Sequence, residues 1–171
     1  MCAAASTAGE IVVPANLNAP GQIVVAGHAA AVKRAVGLAK ERGGRMSVEL
    51  NVSAPFHCPL MKPAQQAMDA VLSAISVKPL KFGVVANATA QINQDPARVV
   101  ALLLEQITAP VRWEESMRTL AGAGVTNAIE LGAGRVLAGL MRRISRDVSV
   151  VAVEDPASLA AAVTALGGAE G

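Results

Sequence analysis

The sequence predicts an α/β protein whose later part is built on a parallel sheet. Three observations predict it. The composition is 53% hydrophobic and only 16% charged, too apolar for a disordered chain and typical of strands buried on both faces. From about residue 80, short apolar runs alternate with stretches whose apolar residues recur at spacings of three and four, the rhythm of a parallel sheet with helices on both faces. At 171 residues the chain is long enough to bury a core as one domain or two small ones.

The elements follow in order. Residues 1–10 read as the tail of a helix; they lack the basic start and apolar stretch of a signal peptide. Ile11 to Val13 and Gln22 to Ala26 are neighbouring strands, joined irregularly through Pro14, Pro20 and Gly21. Ala29 to Arg42 is a helix with Val32, Val36 and Leu38/Ala39 on one face, stopped by Gly43-Gly44. Met46 to Val52 is a strand. With three strands and one helix, the first ~50 residues read as a small α+β subdomain.

Pro63 to Ile75 is an amphipathic helix and Phe82 to Ala86 a short strand ending at Asn87. Asp95-Pro96, an N-cap followed by proline at the first position, opens a helix that runs to about Ile107 and is closed by Pro110. Glu114 to Ala123 and Arg135 to Ile144 are helices, with strands at Ala128 to Leu131 and Val148 to Val153. Asp155-Pro156 opens a last helix through Leu166.

The composition also excludes functions. Fifteen Lys+Arg against thirteen Asp+Glu leave a formal charge of +2, and the aromatic residues are only Phe56, Phe82 and Trp113. Neither the charge nor the aromatics make a nucleic-acid platform. No apolar run reaches the ~18 residues of a membrane span. Cys2 and Cys58 have no metal-ligand spacing and read as reduced thiols of a cytoplasmic protein.

One segment stands out: Ser53-Ala54-Pro55-Phe56-His57-Cys58-Pro59-Leu60-Met61-Lys62-Pro63. It places His57 on a short loop between two rigid elements, where a general base is commonly held. Cys58 is a poor partner, because sequence neighbours point apart. Gly27-His28-Ala29 begins like a nucleophile elbow but puts alanine where the nucleophile belongs, so His28 reads as structural. Gly132-Ala133-Gly134 lies between a strand and a helix like a phosphate cradle, but its spacing misses the dinucleotide fingerprint and it reads as a turn. Arg142, Arg143 and Arg146 suit a helix C-terminus, with docking of an acidic partner as the alternative.

The His57 segment closely resembles the active-site histidine segment of the malonyl-CoA:acyl carrier protein transacylases. Glu105-Gln106-Ile107-Thr108-Ala109-Pro110-Val111-Arg112-Trp113 and Gly132-x-Gly134 match further segments of that family in the same order, as does Pro14 to Gly27. The match runs from about Glu10 to Leu166. It implies a C-terminal portion of such an enzyme: an incomplete ferredoxin-like small subdomain at 1–54, followed at 55–171 by part of a hydrolase-like parallel-sheet core.

By this resemblance His57 is the catalytic base and the main-chain carbonyl of Gln106 orients it. Asn16, Asn18 and, more weakly, Asn87 are candidates to face substrate. The implied reaction moves a malonyl group from coenzyme A to the phosphopantetheine thiol of acyl carrier protein through a serine acyl-enzyme, in fatty acid biosynthesis, with no metal or bound cofactor. Malonyl-CoA and acyl carrier protein are the implied partners. The family's Gly-His-Ser-x-Gly elbow does not occur in this sequence, so the isolated chain is expected to be inactive. An N-terminal half is a candidate partner, and poor solubility or tight association is expected of the chain alone. Two alternatives accompany this expectation: a non-catalytic module that binds carrier protein or coenzyme A, and a polyketide-type acyltransferase with another acyl preference.

Overall fold

The computed structural model describes residues 1–167; residues 168–171 of the expected core portion lie outside the described residues. The chain is mixed α/β and divides into two compact units. One comprises Met1–Asn18 and Gln22–Trp113; the other comprises Ala19–Gly21 and the residues from Glu114 onward.

In the first unit, a short helix α1 (Cys2–Ala5) precedes strands β1 (Val12–Ala19) and β2 (Gln22–Gly27), which hydrogen-bond side by side, and helix α2 (Ala29–Glu41). Only Pro20-Gly21 separates the strands, and Gly21 has φ +74. The stretch expected to be irregular is therefore mostly strand: β1 runs through Pro14 to Ala19. Small side chains bring α2 close to its neighbours. Ala5, Ala31 and Ala35 are fully buried with Val12, and Cys2, Val25, Val32 and Leu38 pack around them. Gly27 allows β2 to pass against the start of β1, since a Cβ there would overlap the Ile11 carbonyl. Helix α2 ends as the glycines predict: Gly43 is left-handed at φ +81, and Gly44 N–H closes on the Ala39 carbonyl at 2.8 Å.

The expected strand at Met46–Val52 does not form. Its period-two pattern is real, but a strand needs a hydrogen-bonded neighbour. No strand of the described residues pairs with it. The side chains at alternate positions, Met46, Val48, Leu50 and Val52, are 54–84% exposed. The first unit thus has two strands before His57 where three were expected.

Beyond residue 55, a 3₁₀ turn (Pro59–Met61) leads into α3 (Lys62–Leu72), where Pro63 sits in the first turn. A hairpin follows, β3 (Val84–Ala86) against β4 (Gln91–Asn93), antiparallel with Ala86 opposite Gln91. β4 was not predicted: three residues, two of them polar, carry no readable period. Asp95 caps the next helical turn, its side chain accepting from Ala97 N–H at 2.9 Å. Then α4 (Val99–Thr108) packs on α3. Gln65 joins the two, donating from Nε2 to the Leu104 carbonyl at 2.7 Å.

The second unit contains most of α5 (Trp113–Gly122), then β5 (Asn127–Leu131), α6 (Val136–Ile144), β6 (Ser149–Val153) and α7 (Pro156–Gly167). β5 and β6 are parallel, in register from Asn127 with Ser149 to Leu131 with Val153. With α6 as their crossover they form a βαβ unit, as the alternation predicts. The parallel pairing among the described residues is confined to this pair and the isolated bridge of Asn16 with Val111; β3–β4 is an antiparallel hairpin rather than part of a parallel sheet.

Candidate active site

His57 is delivered by the turn that precedes α3, and its backbone is left-handed, with φ +57. For a residue with a Cβ such a conformation costs about 1–3 kcal/mol and persists only where the surroundings hold it. The surroundings here are the C-terminal end of α4. Nδ1 of His57 lies 3.1 Å from the main-chain carbonyl of Gln106 and 3.2 Å from that of Ala109. A carbonyl oxygen only accepts, so Nδ1 carries the proton and Nε2 is the basic nitrogen of the neutral ring. The last carbonyls of a helix have no partner within it, and here a side chain takes up that acceptor capacity.

Pro110 makes this arrangement possible. It cannot continue α4, and it pushes the residue before it out of the helical region. Ala109 accordingly adopts φ −102, ψ 152, which ends the helix. Gln106 thus contributes through its main chain. The Ala109 carbonyl is a second acceptor that sequence reasoning missed; its signal was the alanine-proline step that stops the helix.

Cys58, next to His57, is fully buried and its thiol donates to the Pro55 carbonyl at 3.0 Å. A thiol in that setting is structural, which removes a cysteine nucleophile at this position. His28 is structural as well: its Nδ1 accepts from Ile11 N–H at 3.0 Å. The two histidines therefore use Nδ1 in opposite senses, and only His57 has Nε2 as its acceptor nitrogen by this geometry.

Asn16 and Asn18 lie on β1, both half-buried. Asn16 is bridged to Val111: Val111 N–H donates to Ala15 at 2.7 Å and Leu17 N–H to Val111 at 2.8 Å. β1 therefore runs beside the segment that follows the His57 acceptors. Asn87 opens the β3–β4 turn and reaches the same segment. Its Nδ2 donates to the Pro110 carbonyl at 3.1 Å, and its Oδ1 accepts from Arg112 N–H at 3.0 Å. The Arg112 side chain donates to the Ala88 carbonyl at 3.0 Å.

The glycine turn before α6 is not a vacant anion cradle. Glu130, buried on β5, accepts from Leu137 N–H and Ala138 N–H at 2.9 and 2.8 Å, one through each carboxylate oxygen, and Glu154 accepts from Gly134 N–H at 2.9 Å. The protein's own carboxylates occupy the positive end of the helix. Among the described residues, no group of three or more His, Cys, Asp or Glu side chains is placed to hold a metal ion, and no helix is long and apolar enough to cross a membrane.

No protein-family model matches the chain. The malonyl CoA-acyl carrier protein transacylase of Bacillus subtilis (strain 168) is 42% identical over 158 residues, covering 92% of this chain and 50% of the relative. The crystal structure of malonyl-CoA:acyl carrier protein transacylase from Xanthomonas oryzae pv. oryzae superposes with a TM-score of 0.91 at 40% identity, over 96% of this chain and 52% of that one. A malonyl-transacylase solved in complex with a type II PKS acyl-carrier protein gives a TM-score of 0.91 at 41% identity, over 98% and 53%. The chain spans about half the length of the curated relatives it matches. By sequence and by fold together, the chain is a homologue of the malonyl CoA-acyl carrier protein transacylases, matching about half the length of those relatives.

Proposed function

We propose that this chain supplies the general-base side of a malonyl-CoA:acyl carrier protein transacylase active site, in fatty acid biosynthesis. The observation that carries the reading is the pair of carbonyls, Gln106 and Ala109, against Nδ1 of His57. They hold the ring with Nε2 basic, which is what a base for a hydroxyl or thiol requires.

The nucleophile is a serine hydroxyl outside this sequence. His57 Nε2 takes the serine proton as the serine oxygen attacks the malonyl thioester carbonyl. The tetrahedral intermediate collapses with cleavage of the carbon–sulfur bond, and the departing coenzyme A sulfur takes the proton from Nε2. In the second half, the phosphopantetheine thiol of acyl carrier protein gives its proton to Nε2 and attacks the acyl-serine, and the serine leaves with that proton. Nδ1–H donates to the two carbonyls throughout. The chemistry calls for no metal and no bound cofactor, since every proton has a place on His57 or a substrate.

Residues 1–54 we assign to an incomplete ferredoxin-like small subdomain, supported by the separate cluster of Ala5, Val12, Ala31 and Ala35. Residues 55–171 we assign to part of the hydrolase-like core, supported by the β5–α6–β6 unit. The exposed alternation of Met46, Val48, Leu50 and Val52 suits a strand that pairs with the rest of the family fold. We place the protein in the cytoplasm, where free thiols such as Cys2 and Cys58 stay reduced. Acyl carrier protein is the proposed macromolecular partner. A family neighbour has been solved in complex with one, and the exposed Arg142 and Arg146 at the end of α6 suit an acidic surface.

The test is transfer of a malonyl group from malonyl-CoA to acyl carrier protein, with the remainder of the family fold supplied on the same or a second polypeptide. Activity is expected there, and His57→Ala is expected to lower it by about 10²–10⁴-fold. Full activity in the His57→Ala variant would overturn the reading.

A further inference from the structure

We propose that Asn87 is a positioning residue for His57, acting through the main chain of Ala109–Arg112. The proposal rests on His57 being the base, and it adds a residue whose amide bonds go to the main chain of Pro110 and Arg112 rather than to His57.

Three peptide groups connect the two. Asn87 uses both ends of its amide on one short stretch, donating to the Pro110 carbonyl at 3.1 Å and accepting from Arg112 N–H at 3.0 Å. A side-chain amide thereby makes the two bonds that a neighbouring strand would make, bracketing Val111. β1 holds Val111 itself, through the Ala15 carbonyl at 2.7 Å and Leu17 N–H at 2.8 Å. Arg112 adds a guanidinium bond to the Ala88 carbonyl, one residue beyond Asn87 in the same turn. The segment is therefore gripped by the β3–β4 turn as well as by β1.

This grip bears on the chemistry because of what lies immediately upstream. The Ala109 carbonyl, 3.2 Å from Nδ1 of His57, belongs to the peptide that joins Ala109 to Pro110. Proline fixes its own φ, so the orientation of the Ala109 carbonyl follows from where the peptides after Pro110 are pinned. Without the Asn87 amide, β1 still pairs with Val111 and the fold is retained. The Pro110 carbonyl and Arg112 N–H, however, lose their fixed partner, and the Ala109 carbonyl gains freedom to turn from Nδ1. Which nitrogen of a histidine is protonated is set by the bonds the ring makes, so the Nδ1–H tautomer of His57 then rests on the Gln106 carbonyl alone and is less strongly favoured.

The experiment exploits the presence of only two histidines, His28 and His57. Imidazole ¹⁵N spectra of the full chain report the tautomer of each ring. His28, whose Nδ1 accepts from Ile11 N–H, serves as an internal reference for an intact fold. In Asn87→Ala the His57 Nδ1 signal is expected to move from the protonated position toward a mixed one, while His28 stays. The transacylase kcat, measured with the rest of the family fold supplied, is expected to fall about tenfold or more with KM for malonyl-CoA unchanged. Asn87→Asp keeps the acceptor for Arg112 N–H and loses the donor to Pro110, so it is expected to recover part of the kcat; it also replaces Asn87→Ala should that variant disturb His28. An unmoved His57 signal, or a moved signal with unchanged kcat, overturns the proposal. Loss of activity in His57→Ala alongside normal activity in Asn87→Ala would sink the Asn87 role and leave the base intact. Normal activity in His57→Ala would sink the base reading itself.

Discussion

The carbonyl of Gln106 accepts from Nδ1 of His57 at 3.1 Å, joining residues 49 apart in sequence. It does so from the main chain at the end of α4, and the Ala109 carbonyl repeats the contact at 3.2 Å. The His57 ring is oriented by a helix end rather than by a carboxylate. Several consequences can be measured.

Truncating the Gln106 side chain is expected to be mild, because the acceptor is its carbonyl. Gln106→Ala should change kcat by less than about threefold, against the large loss expected for His57→Ala. A loss approaching that of His57→Ala would show that the side-chain amide, not the carbonyl, carries the role.

Cys58 is expected to resist alkylation in the folded chain. Its thiol is fully buried and bonded to the Pro55 carbonyl, and thiol reactivity requires an exposed thiolate. Mass spectrometry after iodoacetamide should show Cys58 modified only when denaturant is present. Rapid native modification with loss of activity would restore a cysteine mechanism.

Glu130 is expected to stabilise the βαβ unit by holding the first turn of α6. Glu130→Ala leaves Leu137 N–H and Ala138 N–H without their carboxylate. The loss expected from unsatisfied buried donors is about 1–3 kcal/mol. Glu130→Gln keeps one oxygen acceptor and should recover part of it. Urea unfolding of the two variants measures the difference, and equal stability of Glu130→Ala and the parent would contradict the assignment.

Asp155 gives the start of α7 a dependence on acid. Bonds from Ser158, first from its backbone N–H at 2.7 Å and then from its hydroxyl at 2.7 Å, hold its carboxyl below the ordinary aspartate value of 3.8. The folded state thus binds the proton less readily than the unfolded state. The resulting stabilisation is present above the ordinary value and is lost as pH falls through the lowered one. Carboxylate ¹³C titration should place the Asp155 midpoint below 3.8. Asp155→Asn should remove the acid dependence of α7 in that window.

Much of the molecule was legible from local chemistry. Gly43-Gly44 stopped α2, Asp95-Pro96 and Asp155-Pro156 opened helical turns, and Pro110 closed α4, because caps and prolines act over a few residues. The β5–α6–β6 unit was legible from its alternation of periods. His57 stood out by its loop between prolines, whereas Gln106 was singled out only by family resemblance. Local patterns misled where partners decide. Met46–Val52 has a strand's alternation but no neighbouring strand among the described residues, so its apolar side chains stay exposed. β4 has a neighbour but almost no pattern, and pairing with β3 makes it a strand.

The sequence by itself determined where helices begin and end, and which histidine sits on a turn, since these depend on backbone preferences of adjacent residues. Only the tertiary structure decided the tautomer of the neutral His57 ring, because the carbonyls that fix it come from residues 49 and 52 positions away. It likewise made Asn87, in sequence only a weak candidate to face substrate, the bracket of Pro110 and Arg112. A hydrogen bond depends on an angle and a few ångströms, and those are set by packing rather than by neighbouring residue types.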